Sequence, residues 1–509
     1  MQKSLKTLYP YLTIYTLLVF LFYSTGFNRN WPFWADQELS QTYAALLLNS
    51  GLGQGQELLS NPGFFSIHLM QLLVNFCNYL NFYQIETIDD LNYSPSIFKS
   101  MEYLVITARH FGLLTMIVFL SGLYFVTNKA MHNRFTALLF TLLIFASNGI
   151  FFHFTQTRTE LITFIFLLSS IYVFTKAFNT KNNTAYLYLF FSIILFFCAL
   201  LNKTQIIVFS PLYFACAYFF IKPLSVQSPA PSFAILMKVV GMMSILVGLF
   251  PFLIKSNSSS LLLNSVVIVS LNAIVFFLSV RTTKNPYLTM ACFNTSYCIC
   301  YFGLNSLTAS MNQGISLFGL IDNPTNMVKF LNITQGGILP HGDANAGALT
   351  LSDPIKLLQF IFRPLVKMVF KMNSAFIFLL FIGLYLYKSF RTLSRQEIYF
   401  GVFCVASFYS INLINSIRGL TPYYVLFSEF FLALYSFVLL QKIPSARMKN
   451  YIIVLLTFLI VLINLVPYTD YYNYLIRKGK NPFCGEEIST LHLQISTERI
   501  EAACKETPL

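Results

Sequence analysis

The chain has few acids, few charges of either sign and almost no tryptophan. Only 19 Asp and Glu residues occur in 509, charged residues make up 10%, and Trp31 and Trp34 are the only two tryptophans. So sparse a charge excludes an ordinary soluble domain, in which about a quarter of residues are charged. No GxxxxGK[ST] segment is present, which excludes a P-loop nucleotide site. No His, Cys and carboxylate cluster has zinc spacing. No clear internal repeat appears, which weighs against a repeat-built transporter. Most of the nine cysteines fall in hydrophobic runs as small apolar fillers, whereas Cys484 and Cys504 share a polar tail where a disulfide is chemically allowed.

What fills the chain instead is apolar. Hydrophobic residues reach 56%, with 55 Phe and 30 Tyr, and the mean hydropathy is +0.64. This composition predicts an all-α polytopic membrane protein. A spanning helix needs about 20 apolar residues, and about thirteen candidate spans follow, at 9–27, 104–127, 135–153, 161–178, 185–202, 205–221, 234–254, 260–280, 287–308, 367–388, 398–416, 422–441 and 450–467. The first has no small-residue cleavage site and reads as a retained anchor. The net charge of +14 does not indicate nucleic acid. With the N-terminus inside, alternate loops carry 16 basic residues and one acid, Glu397. That asymmetry predicts the N-terminus inside and the C-terminus outside.

Three segments break the alternation of span and short loop within a transmembrane domain of 1–467. The first external loop, 28–103, contains two helix-patterned stretches, 39–49 and 62–83, expected to lie on the membrane surface. A second loop, 309–366, is rich in Gly and Asn and is a candidate lid. The tail, 468–509, is polar and too small for a full domain.

Charges at the edge of hydrocarbon are costly and are functional candidates by default. Asp36 and Glu38 follow the first span, in WPFWADQE. His153, Arg158 and Glu160 occupy the turn between the third and fourth, in HFTQTRTE. Lys203 and Gln205 lie between the fifth and sixth. Arg418 and Tyr424 stand where the twelfth begins, and Glu429 lies inside it. All but Glu429 are expected near one depth, on the outer side, as in one cavity. Arg and Lys hold phosphate through charge-assisted hydrogen bonds. A carboxylate takes a proton from a hydroxyl as that oxygen attacks an anomeric carbon. Outside the membrane there is no nucleotide supply, so an activated sugar arrives on a lipid phosphate. Lys203, Arg418, Arg158, Gln205 and Tyr424 are thus candidates for binding the donor. Asp36 and Glu38 are candidates for the base, and Glu160 and His153 for support. Each also has a plainer reading: an Arg158–Glu160 structural pair, a snorkelling Lys203, Arg418 as a boundary residue, a helix-capping Asp36, an interfacial His153, and a Glu429 hydrogen-bonded to a neighbouring helix.

The segments Trp34-Ala-Asp36-Gln-Glu38, Tyr43 to Gly51 and Asn61-Pro62-Gly63-Phe64 resemble the first external loop of the GT-C superfamily of membrane glycosyltransferases. That group includes the protein O-mannosyltransferases, the lipid A aminoarabinose transferases and the oligosaccharyltransferase catalytic subunits. Asn61 stands where such loops commonly have His. The resemblance implies a GT-C-like architecture in a bacterial inner membrane. It also implies a polyprenyl-phosphate-linked sugar donor and a glycan, lipid or protein acceptor. No later external loop carries a second acidic motif, so no cofactor is expected, though a divalent metal is left open. Two other readings fit the same charges: a flippase or transporter for lipid-linked sugars, and a polysaccharide polymerase or ligase.

Overall fold

The computed structural model describes residues 2–24, 36–51, 63–95, 97–155, 157–180, 184–203, 286–311, 333–334, 337–338, 373–417 and 422–478, with isolated positions between 239 and 276 and at 362. Their regular structure is helical apart from two paired two-residue strands, Ile333–Thr334 and Gly337–Ile338. The helices are α1 (Gln2–Ser24), α2 (Asp36–Asn49), α3 (Phe64–Tyr79), α4 (Ile88–Asn92), α5 (Ile97–Met131), α6 (Arg134–Ala146), α7 (Asn148–Thr155), α8 (Thr159–Asn179), α9 (Thr184–Asn202), α10 (Pro286–Met311), α11 (Asn373–Ser389), α12 (Arg395–Ile417), α13 (Pro422–Lys442) and α14 (Ala446–Lys478).

Among the described residues, six helices are long and apolar enough to cross a membrane: Lys99–Met131, Thr159–Asn179, Thr184–Asn202, Ser374–Thr392, Val425–Lys442 and Ala446–Asn464. The outward faces fit that solvent. On α14, Tyr451, Val454, Leu455, Phe458, Val461 and Leu462 are exposed at spacings of three and four, one continuous apolar stripe that water would penalise. The chain is therefore a helical membrane protein. The expected spans at 287–308 and 398–416 form the helices α10 and α12. The expected spans at 205–221, 234–254 and 260–280 lie almost wholly outside the described residues, as does most of 309–366. Helix α14 runs on past the expected last span to Lys478, and α5 begins at Ile97, within the expected first loop.

The described residues divide into two compact units. The first joins residues 1–52, 66–161 and 335–509; the second comprises 53–65 and 162–334. In the first, α5 packs on α1, α2, α6 and α7, while α13 packs on α7, α11 and α12. Three basic loops meet at one end of this unit. The Gln441 amide donates to the Ala130 carbonyl at 3.5 Å, the Thr136 hydroxyl to Asn450 Oδ1 at 2.7 Å, and Lys442 Nζ pairs with Glu397 Oε1 at 2.6 Å. The loops around Lys129, Arg395 and Lys442 thus share one end. The Glu397 carboxyl is partly desolvated, which alone raises its pKa, but the bonds from Lys442 and Ser394 outweigh this and hold it below the usual carboxylate range. In the second unit α10 packs on α9, and the Asn272 and Asn294 amides exchange hydrogen bonds of 2.9 and 2.6 Å.

Close helix approaches depend on glycine. A Cβ on Gly401 of α12 would fall on the ring of Tyr435, a buried residue of α13. Gly401→Ala is expected to destabilise the protein by about 1–3 kcal/mol through overpacking. Thermal unfolding in detergent checks this, and Gly401→Ala/Tyr435→Leu is expected to recover most of the loss.

The expected span at 135–153 is not one helix. It breaks at Ser147 into α6 and α7, bent by 77°. Three other helices satisfy the backbone groups freed at the break. Asn148 N–H donates to Ser374 Oγ of α11 at 2.8 Å, Gly149 N–H to Glu429 Oε2 of α13 at 3.1 Å, and the Asn464 amide of α14 to the Ala146 carbonyl at 3.1 Å. A Cβ on Gly149 would sit 2.6 Å from the Leu426 backbone, so only glycine lets α7 reach the Glu429 carboxyl. Of the two readings of Glu429, a bond to a neighbouring helix is what the structure contains.

Candidate functional site

The segment joining α7 to α8 crosses α5 in the first unit. The Thr157 hydroxyl donates to the Ala108 carbonyl at 2.5 Å. Gly112, one turn along α5, makes room for it: a Cβ there would lie 2.6 Å from Thr157 Oγ1. Arg109 and Arg158 each directly follow one of the two residues joined by this bond, and both are buried. Arg158 Nε lies 3.5 Å from Glu160 Oε2, with both side chains almost wholly enclosed. The Thr159 hydroxyl reaches the same carboxylate oxygen at 3.4 Å. Glu160 stands in the first turn of α8, where the helix dipole favours its negative charge. His153, buried on α7, belongs to the same stretch of chain.

The end of α1 completes this wall. His110 Nδ1 lies 2.8 Å from the Ile106 carbonyl and Nε2 lies 3.0 Å from Tyr23 Oη. A carbonyl only accepts, so Nδ1 carries the proton and Nε2 accepts from the tyrosine in the neutral ring. Phe22 stands edge-on to His110 at 5.2 Å and to Phe154 at 6.2 Å. Arg109 lies 20 positions from Lys129 along α5, about 30 Å at the helical rise. That is one bilayer's hydrocarbon thickness. The cluster therefore lies about one bilayer's thickness along α5 from the basic end.

Asp36 and Glu38 begin α2, which packs on α5 and α4. Positions 36 and 38 are helical, so they stand about 200° apart around the axis. One expectation is corrected here: α2 does not lie on a surface, because all seven residues from 41 to 47 are buried and protein surrounds the helix. Gln41, on the same helical face as position 38, is buried with neither amide atom hydrogen-bonded among the described residues. A bound polar ligand would satisfy such an amide. The stretch at 62–83, by contrast, keeps the exposed stripe expected of an interfacial helix, with Leu69, Leu72, Phe76 and Tyr79 outward on α3. A polar seam ties α3 to the end of α2. Gln71 Nε2 donates to Asn49 Oδ1 at 2.8 Å, and Asn49 Nδ2 donates to Asn75 Oδ1 at 2.6 Å. Burial pushes the pKa of His68 down, against the opposing bond from Gln71.

Of the remaining candidates, Lys203 is buried just past α9 in the second unit, next to Asn202, whose amide donates to the Thr163 hydroxyl at 2.8 Å. Gln205 and Arg418 lie outside the described residues, and for Tyr424, in the first turn of α13, only the backbone is described. The structure thus gathers His153, Arg158 and Glu160 in the first unit and adds Arg109, which the sequence reading passed over. Its signal was there: an Arg-His pair near the start of an expected span at 104–127 is subject to the same cost as any other charge in hydrocarbon. No protein-family model matches the chain, and neither a curated protein nor a solved structure is similar to it.

Proposed function

We propose that the chain is an integral membrane glycosyltransferase of the GT-C type. It moves a sugar from a polyprenyl-phosphate carrier to an acceptor hydroxyl or amine on the outer face of the membrane. The observation that carries this reading is the enclosure of α2: the helix that begins with Asp36 and Glu38 packs on α5, and α5 is bonded at Ala108, next to Arg109, to Thr157, next to Arg158. A carboxylate base and guanidinium groups suited to phosphate then share one unit. In the reaction, Asp36 takes the proton of the acceptor as its oxygen or nitrogen bonds to the anomeric carbon. The bond from that carbon to the phosphate oxygen breaks, and the carrier phosphate leaves with the electron pair. In the first unit Arg158 carries the phosphate charge, with Arg418 and Tyr424 as further donor-binding candidates.

A transporter is the second reading, favoured by the broken α6–α7 pair, because transporters bind anions at the N-termini of such half-helices. Here the α7 N-terminus is occupied by the chain's own Glu429, which weighs against that use. Purified protein in liposomes, supplied with polyprenyl-phosphate carriers labelled in the sugar, separates the two. Transferase activity moves label from the organic-extractable carrier to an acceptor. Label that stays on the carrier but becomes accessible to an impermeant oxidant on the opposite leaflet identifies a transporter and overturns the proposal.

A further inference from the structure

We propose that the α6–α7 break holds a small monovalent cation, a proton or Na⁺, on the Glu429 carboxyl. This site is separate from the cluster around Arg109 and does not rest on the transferase reading.

A carboxyl sealed inside a spanning helix keeps a negative charge only if that charge is compensated. Glu429 is 2% exposed. One oxygen accepts from Gly149 N–H at 3.1 Å, and the Ser374 hydroxyl, which already accepts from Asn148 N–H, lies against the same carboxyl. Two neutral donors lessen the charge without cancelling it. Glu429 makes no ion pair among the described residues. Its other oxygen, Oε1, is buried and has no hydrogen-bond partner among the described residues. Neither has Asn464 Oδ1, whose amide nitrogen donates to the carbonyl of Ala146, three positions before Gly149. The break therefore has two buried acceptors lacking donors and one carboxyl lacking a counter-charge. A single cation corrects both faults. A proton on Oε1 neutralises the carboxyl and turns that oxygen into a donor. Na⁺ takes oxygen ligands, and the carboxylate, the Ser374 hydroxyl and the Asn464 carbonyl supply that chemistry.

The helices packed against α13 carry few other titratable groups. They are His153 on α7, Tyr385, Tyr387 and Lys388 on α11, and Arg395, Glu397, Tyr399, Cys404 and Tyr409 on α12. Glu397 pairs with Lys442, 13 residues along α13 from Glu429, so in the antiparallel pair the level of Glu429 corresponds to about residue 410 of α12. That brings only Tyr409 near it from α12. The charged groups of α11 and α12 lie toward the basic end.

The test uses the full chain in nanodiscs, with and without Glu429→Gln. The amide keeps the Gly149 bond and supplies a permanent donor where the proton would be. Thermal midpoints are measured from pH 5 to pH 9 in Na⁺ or in N-methylglucamine. The wild type is expected to melt higher at low pH if the cation is a proton, or higher with Na⁺ at fixed pH if it is sodium. The variant is expected to lose that dependence. Matching pH and Na⁺ profiles in the two proteins overturn the proposal. If the variant does not fold, dicyclohexylcarbodiimide labelling of Glu429 in the wild type decides by mass spectrometry. Labelling that falls with rising pH, or that Na⁺ suppresses, supports the site. A label yield indifferent to both, zero included, overturns it.

Discussion

Asp36→Asn is expected to lower sugar transfer by about 10²–10⁴-fold, the usual scale for the loss of a general base, while leaving folding and binding of the donor lipid nearly intact. The asparagine keeps the shape of the side chain and removes only its ability to take a proton. The helical start of α2 sharpens the test. Positions 36 and 38 diverge around the axis, so the two acids are not interchangeable, and one substitution should carry nearly the whole effect. Transfer rates of purified Asp36→Asn and Glu38→Gln proteins decide which. Near-normal transfer by the first with an inactive second makes Glu38 the base. Near-normal transfer by both removes the acid pair from the chemistry.

Glu160→Leu is expected to destabilise the protein by about 3–5 kcal/mol, the scale for breaking a buried ion pair by removing one partner. The change takes a carboxylate from beside Arg158 where water cannot replace it. Arg158→Met/Glu160→Leu, which removes both charges, is expected to recover most of that stability. Unfolding measurements on the single and double variants therefore test the pair as structure. Transfer activity then separates the plain reading from the functional one. If the double variant is stable but inactive, the guanidinium is used on the carrier phosphate. If it is stable and active, the pair only fastens the start of α8 beneath α5.

Legibility in the sequence followed the strength of the physical signal. Long apolar runs bounded by basic loops became α5, α8, α9, α11, α13 and α14, because burial in lipid forces helices wherever such runs occur. The 135–153 run was equally apolar, yet its break at Ser147 depends on Ser374, Glu429 and Asn464. No local pattern announces partners more than 200 positions away. Misreading α2 as a surface helix has a related cause. Its stretch mixes Ser, Gln and Thr with Leu and Ala, as an interfacial helix does, but here neighbouring helices rather than water meet the polar positions. The Arg158–Glu160 pair was readable from its spacing. Arg109 was missed because the hydrophobic run around it was read as a span before its charges were counted.

The bent α6–α7 pair also constrains the order in which the chain is assembled. The 13 residues of α6 extend about 20 Å, too short to cross the hydrocarbon unaided. The partners that make the break tolerable are separated from it by 226, 280 and 318 positions. During synthesis, then, this segment emerges long before α11, α13 and α14 exist. Until the last of them is inserted, its exposed amides and carbonyls need another host, such as water, lipid headgroups or an insertion chaperone. Nascent chains stalled before Ser374 are expected to be marked for proteolysis, and chains released after Asn464 spared.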